Sequence, residues 1–410
     1  VKMQRKYYNT GKTRDISFRI EQLKKLKLVV SQNEEKILLA LKKDLNKSDF
    51  EGFMTEVGMF YSELNFAIKN IRKWSKIKRV KSSMVNFPSI SKVVPQPYGV
   101  TLIMSPWNYP FQLALIPLVW SLAAGNCVIL KPSEYSASTS SVVKDIVEDT
   151  FSKEYVAVVQ GSQEESEKLL LERFDYIFFT GSTNVGRIIM KSASEHLTPI
   201  TLELGGKSPC IILKDANIDL TAKRLTWGKL INAGQTCVAP DYVLVHEDRK
   251  NELIEKIKYY TNKYFGDNPC NNEQFPKIIN QKHFNRILSL IDKDKIVYGG
   301  NYNKETLKIE PTIVDNVNWD DNIMKEEIFG PIFPLLTYKD LDEVIQKIIQ
   351  MPNPLALYIF TKNKYLENKL LEMIPAGGCC INDTVTHIAT NYLPFGGIGE
   401  SGMGSYHGKA

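Results

Sequence analysis

Cys237 closes the segment Asn232-Ala233-Gly234-Gln235-Thr236-Cys237, and Glu203 lies upstream in Leu202-Glu203-Leu204-Gly205-Gly206-Lys207. A thiol and a carboxylate, each near glycine, are the parts of covalent catalysis. Sulfur attacks an electrophilic carbon, and the carboxylate activates the water that later releases the product. A free thiol titrates near roughly 8.5, so Cys237 is a useful nucleophile only where its surroundings favour thiolate. Gly234 permits a tight turn that would bring backbone N–H groups towards an oxyanion on a substrate bound to the sulfur. Taken alone, Cys237 is one of six cysteines and reads as a small buried apolar residue. The catalytic reading comes from its company.

Asn108, in Pro106-Trp107-Asn108-Tyr109-Pro110, follows an apolar run, where its amide could donate to a substrate oxygen as charge develops. Local chemistry by itself makes it a turn asparagine. Lys131 and Glu134, in Leu130-Lys131-Pro132-Ser133-Glu134, follow a second run, and nucleotides bind at the carboxyl ends of such strands. The plainer alternative is a surface ion pair.

Gly181, Ser182, Val185 and Gly186 belong to a segment expected to open a helix after a strand, with backbone N–H groups placed for a pyrophosphate. A strand-to-helix turn without a ligand fits that segment equally well. Its G-x-x-x-x-G spacing lacks the Lys and Ser/Thr of a P-loop, since Arg187-Ile188 stands there, and argues against nucleoside triphosphate chemistry. Glu327 and Phe329, in Glu326-Glu327-Ile328-Phe329-Gly330-Pro331, read on their own as a helix-end carboxylate and a core aromatic. The five histidines show no paired spacing with cysteine or carboxylate, so no metal is expected, and adjacent Cys379 and Cys380 read as packing residues.

Elements must position these groups. Ile20, Leu23, Leu26 and Val30, then Ile37, Ala40 and Leu41, recur at helical spacing, with Asn33 as a cap between two helices. From Gly99 to Leu204 short apolar runs alternate with helical stretches: Val100 to Met104, Cys127 to Leu130, Val156 to Val159, Tyr176 to Phe179 and Ile200 to Leu204. That alternation predicts a parallel sheet with crossover helices and a dinucleotide-binding domain. Another α/β block holding Cys237 follows to about Phe395, with a cleft between the two near Glu203 and Cys237. Proline and β-branched residues from Phe87 to Pro97 mark a hairpin outside the main core.

Composition narrows the function classes. The 410 residues, 43% of them hydrophobic, are enough for two cores. Six cysteines without a regular framework and no apolar leader at Val1 to Arg5 point to a reducing, cytoplasmic setting without disulfides. The stretch from Leu113 to Ala124 is too short for the roughly 20 residues of a membrane span. A net charge of +6 is scattered, and its densest tract, Arg72 to Arg79, reads as a solvated helix face without a nucleic-acid motif.

Together with Pro394-Phe395-Gly396-Gly397, the motifs above resemble the aldehyde dehydrogenase superfamily, and its class 3 branch, over nearly the whole chain. The resemblance implies an α/β fold: a Rossmann-like NAD-binding domain over 1–82 and 97–203, a small β-hairpin oligomerisation excursion over 83–96 and an α/β catalytic domain over 204–396. A C-terminal return segment, 397–410, is shorter than in class 3 relatives. The resemblance makes Cys237 the nucleophile, Glu203 the base and Asn108 the oxyanion donor. It assigns Lys131 and Glu134 to the adenosine ribose, and Glu327 and Phe329 to the nicotinamide ribose and ring. Gly181, Ser182, Val185 and Gly186 stay with the pyrophosphate.

The implied reaction is oxidation of a small-molecule aldehyde to a carboxylic acid through a cysteine thioester. A carboxylate at Glu134 favours NAD, with NADP an alternative, since class 3 members often accept both. The family's homodimer is the expected assembly, although its tail helps form that dimer, and no membrane anchor or nucleic-acid partner is expected. The competing reading is a truncated, catalytically impaired relative that binds NAD without turnover.

Overall fold

The computed structural model describes residues 1–409. The apolar runs become strands β1 (Val100–Met104), β2 (Cys127–Lys131), β3 (Val156–Val158), β4 (Tyr176–Thr180) and β5 (Ile200–Glu203). They form a parallel sheet in the order β5-β4-β1-β2-β3, and the two-residue strand Gly402–Met403 adds antiparallel to β5. Every residue of β1 and β2 is buried. Helices cover both faces of such a sheet, which is why these runs are continuously apolar and not alternating.

Helix Ile16–Gln32 buries Leu23, Leu26 and Val30, and helix Glu34–Leu45 buries Ile37, Ala40 and Leu41. Asn33 joins them and caps the first: its backbone N–H donates to the Val30 carbonyl and its side chain to the Val29 carbonyl at 2.9 Å, while the second helix receives no side-chain cap. The apolar stretch after Leu113 forms helix Gln112–Ala124, which is buried along most of its length and packs against helix Gly58–Trp74. Among the described residues, no helix is long and apolar enough to cross a membrane.

The second sheet holds β6 (Pro209–Ile212), β7 (Tyr242–His246), β8 (Ile296–Tyr298), β9 (Thr312–Val314), β10 (Ile332–Tyr338), β11 (Ala356–Phe360) and β12 (Gly378–Ile381). Its order is β8-β9-β10-β7-β6-β11-β12, with only the β8–β9 pair antiparallel. The chain passes between sheets through residues 204–208, so Glu203 ends one sheet at the crossing into the other.

Outside both cores, Lys78–Val80 pairs antiparallel with Ser91–Val93. This hairpin begins at Lys78, ahead of the change of composition at Phe87. The preceding helix ends at Trp74, so only Arg72 and Lys73 of the basic tract are helical, while Lys78 and Arg79 lie in a strand. All three residues of that strand are exposed, so no buried face imposed an alternating pattern on its sequence.

Candidate active site

The turn before Cys237 is built from unusual backbone. Asn232, Ala233 and Gly234 follow helix Ile218–Leu230 with φ of +53°, +51° and +76°. Two consecutive non-glycine residues in the left-handed region cost free energy and persist only where surrounding contacts over-determine them. Here they do. The Asn232 amide donates to the carbonyls of Asn108 at 2.8 Å and Gln235 at 3.1 Å. Gln235 in turn donates to the Asn232 carbonyl at 2.9 Å and accepts from the Ile279 N–H at 3.0 Å. Gly234 is required at its place, since a β-carbon there would sit 2.2 Å from the Gly330 carbonyl oxygen.

Asn108 approaches this turn from the loop after β1. Its side-chain amide donates one hydrogen to the Gln235 carbonyl at 3.1 Å, which leaves the second N–H for another acceptor. Next to it, the Tyr109 and Thr236 hydroxyls share a 2.5 Å hydrogen bond. Glu203 enters from the end of β5 with both carboxylate oxygens buried and without a hydrogen-bond partner. Burial holds its pKa well above the usual carboxylate range. The Cys237 thiol is pushed up to about 12 by burial, with the Glu327 and Glu203 carboxylates adding to the effect and the backbone N–H groups of Val238 and Cys237 opposing it. These surroundings work against the thiolate form that nucleophilic attack requires.

Cys237, Glu203, Asn108, Gly181, Ser182, Glu327 and Phe329 line one cavity of about 320 Å³. Four other sequence candidates do not line it. Lys131 ends β2, is buried, and pairs with the half-exposed Glu134 at 3.6 Å. Tyr135, beside Glu134, meets His283 at the cavity rim with ring centroids 6.3 Å apart. Val185 is on the exposed face of helix Thr183–Ser194, and Gly186 is buried in that helix. A larger cavity, about 540 Å³, lies between Trp74, Trp120 and Tyr406 and contains none of the candidates.

The segment carrying Glu327 is held by residues that sequence reasoning missed. Arg286 donates to the carbonyls of Glu327 at 3.0 Å and Ile328 at 2.6 Å. Asp241 accepts the Ile328 N–H at 2.9 Å and pairs with Lys207 at 2.5 Å, while Lys207 also donates to the Glu326 carbonyl at 2.9 Å. Burial, reinforced by Asp241, raises the Glu327 carboxyl to about 8 against the pull of the Gly206 N–H, Lys207 and Arg286. Phe329 has a φ of +52° and meets Trp107 edge-on, with ring centroids 5.4 Å apart. Trp107 adjoins Asn108 and Lys207 follows Glu203 within the same short segment, whereas Arg286, Asp241 and His283 carry no local signal.

The cavity fits a dinucleotide on its Gly181 side. Ser182 and Thr183 line it where helix Thr183–Ser194 begins, and the Ser182 side chain makes no capping bond to the first turn. The N–H groups of that turn remain available to an anion, which the helix dipole also favours. No group of three or more His, Cys, Asp or Glu side chains able to hold a metal ion occurs among the described residues.

Comparison with known proteins agrees with this architecture. The sequence profile described as "Aldehyde dehydrogenase family" matches residues 2–410. The 4,4'-diaponeurosporen-aldehyde dehydrogenase of Staphylococcus aureus is 46% identical, over 98% of this chain and 88% of that protein. Aldehyde dehydrogenase family 3 member A2 of Pongo abelii is 42% identical, over 100% of this chain and 84% of that protein. The solved structure described as "Substrate bound state of Staphylococcus Aureus AldH" superposes with a TM-score of 0.98 at 45% identity, covering 99% of this chain and 89% of that one. The chain thus belongs to the aldehyde dehydrogenase family, in its class 3 branch, and is an oxidoreductase acting on aldehydes with a nicotinamide cofactor.

Proposed function

We propose that this protein oxidises aldehydes to carboxylic acids through a thioester on Cys237. The observation that carries the reading is the convergence of Cys237, Glu203 and Asn108 on one cavity. Cys237 Sγ attacks the aldehyde carbon, and the resulting hemithioacetal oxyanion is held by the second Asn108 N–H and the Cys237 backbone N–H. The thiol proton leaves to solvent as the sulfur attacks, which keeps Glu203, the unpartnered carboxylate on the same cavity, free for the later step. A nicotinamide dinucleotide held on the Gly181 side of the cavity would supply the two-electron acceptor needed for the thioester to form. Glu203 then deprotonates the water that cleaves the thioester, which restores the thiol and releases the acid. Burial raises the Glu203 carboxyl above the usual carboxylate range, which makes its ionised form a stronger base.

Glu134, half-exposed beyond β2, is the ribose ligand in this reading, and its charge favours NAD over NADP. Lys131 completes that contact, and Gly181, Ser182, Val185 and Gly186 form the turn that faces the pyrophosphate. Glu327 holds the nicotinamide ribose, and Phe329 packs near the ring. The domains divide at the Glu203 crossing, as the sequence implies. The protein works in the cytoplasm, consistent with its free thiols. The hairpin, with Met84, Val85 and Phe87 all exposed, serves a homodimer interface.

NADH formation with a panel of aldehydes, run with NAD and with NADP, tests the reaction. Aldehyde-dependent NADH supports it. Nucleotide binding without such turnover would establish the impaired-relative reading instead.

A further inference from the structure

Lys47 and Glu56 form an ion pair at 2.6 Å with both side chains wholly out of solvent. Such a pair contributes little net stability, because desolvating two ions offsets their attraction. What it holds is more informative. Lys47 Nζ also donates to the Asn108 carbonyl at 3.1 Å and lies 4.0 Å from the centroid of the Tyr109 ring. Glu56 Oε2 accepts the N–H groups of Phe111 at 3.0 Å and Gln112 at 2.9 Å. The pair thus clamps the loop from Asn108 to Gln112 at both ends. A second carboxylate, Glu51, accepts the Asn232 N–H at 2.6 Å, and Asn232 donates to the same Asn108 carbonyl.

We propose that Lys47 and Glu56 are positioning residues that fix the Asn108 amide relative to the Cys237 sulfur without touching the substrate. The inference rests on the roles given to Cys237 and Asn108 above. One ammonium reaches both halves of the site. It meets the oxyanion donor through the Asn108 carbonyl, and the nucleophile's turn through the Tyr109 ring, whose hydroxyl bonds Thr236 beside Cys237. No side chain in the cavity is charged in a way that could replace it, since the carboxylates there, Glu203, Glu326 and Glu327, are acceptors and the Arg286 guanidinium is committed to the Glu327 segment. Displacing a reacting group by about 1 Å costs on the order of 100-fold in rate, so loss of the clamp should appear in turnover.

The test uses the full chain carrying Lys47→Met, and Lys47→Met together with Glu56→Gln, which leaves no unpaired Glu56 carboxylate. Folding is followed by circular dichroism and thermal midpoint, NAD binding by fluorescence, and turnover as kcat and KM per folded molecule. The expected result is a folded double variant that binds NAD as the parent does, with kcat lowered by about 100-fold and KM moved far less. Lys47→Arg, which keeps the charge, should restore part of kcat. If the methionine variants do not fold, Lys47→Arg and Glu56→Gln carry the same kcat readout with smaller losses expected. Folded variants that keep the parent kcat overturn the proposal, whether or not their thermal midpoints fall. A parent protein without aldehyde oxidation would instead remove the functional reading on which it rests.

Discussion

Glu327 lies so close to Gly205 that a β-carbon on residue 205 would fall 2.0 Å from Glu327 Oε2. A carboxylate thus touches the strand-to-strand crossing two residues after Glu203, so Glu203 and Glu327 meet at one piece of backbone. Gly205→Ala should push the Glu327 side chain out of place. We expect a folded protein destabilised by about 1–3 kcal/mol, with NAD affinity reduced more than the thermal midpoint suggests. Titration of NAD against the variant checks this, and unchanged affinity would contradict a cofactor role for Glu327.

Stability should also depend on Glu327 through pH. Its carboxyl is raised to about 8 in the fold, chiefly by burial, against an unfolded value near 4.5. A raised pKa means the folded state binds the proton more tightly. Its contribution is therefore full below the unfolded pKa and is lost as pH climbs through about 8. Between those values the slope approaches roughly 1.4 kcal/mol per pH unit from this group. Urea unfolding of the cofactor-free protein from pH 5 to 8 should show stability falling, and Glu327→Gln should flatten that fall. Parallel curves for parent and variant would refute the assignment.

The fold was legible where burial shaped the sequence. The runs that became β1 to β5 stood out because both faces of their sheet are covered, and Leu23, Leu26 and Val30 because one helix face is. Lys78–Val80 was not, since an exposed strand carries no periodicity. The same division runs through the site. Cys237, Glu203 and Asn108 sit in dense local motifs of turn residues. Arg286 and Asp241 act on Glu327 from distant parts of the chain, through hydrogen bonds to backbone carbonyl and N–H groups that leave no sequence signature. Lys47 and Glu56 are hidden for a related reason: in sequence they look like ordinary members of a Lys- and Glu-rich helical region.

Cofactor preference offers a separate check. If Glu134 meets the ribose, Glu134→Ser removes the charge that repels a 2′-phosphate while leaving Lys131 in place. The ratio of kcat/KM with NADP to that with NAD should rise by about 10-fold, equivalent to roughly 1.4 kcal/mol of differential transition-state binding. Steady-state kinetics with both nucleotides measure it. An unchanged ratio would place the discrimination elsewhere.

The central claim is a covalent bond at one sulfur, and Glu203→Gln allows it to be caught. Without its base the enzyme should form the thioester and fail to hydrolyse it, lowering kcat by about 100-fold or more. Acid-quenched samples incubated with NAD and an aldehyde, digested and weighed, should carry the acyl group on the Cys237 peptide. An unmodified Cys237 peptide in a sample that has produced a full equivalent of NADH would contradict the account.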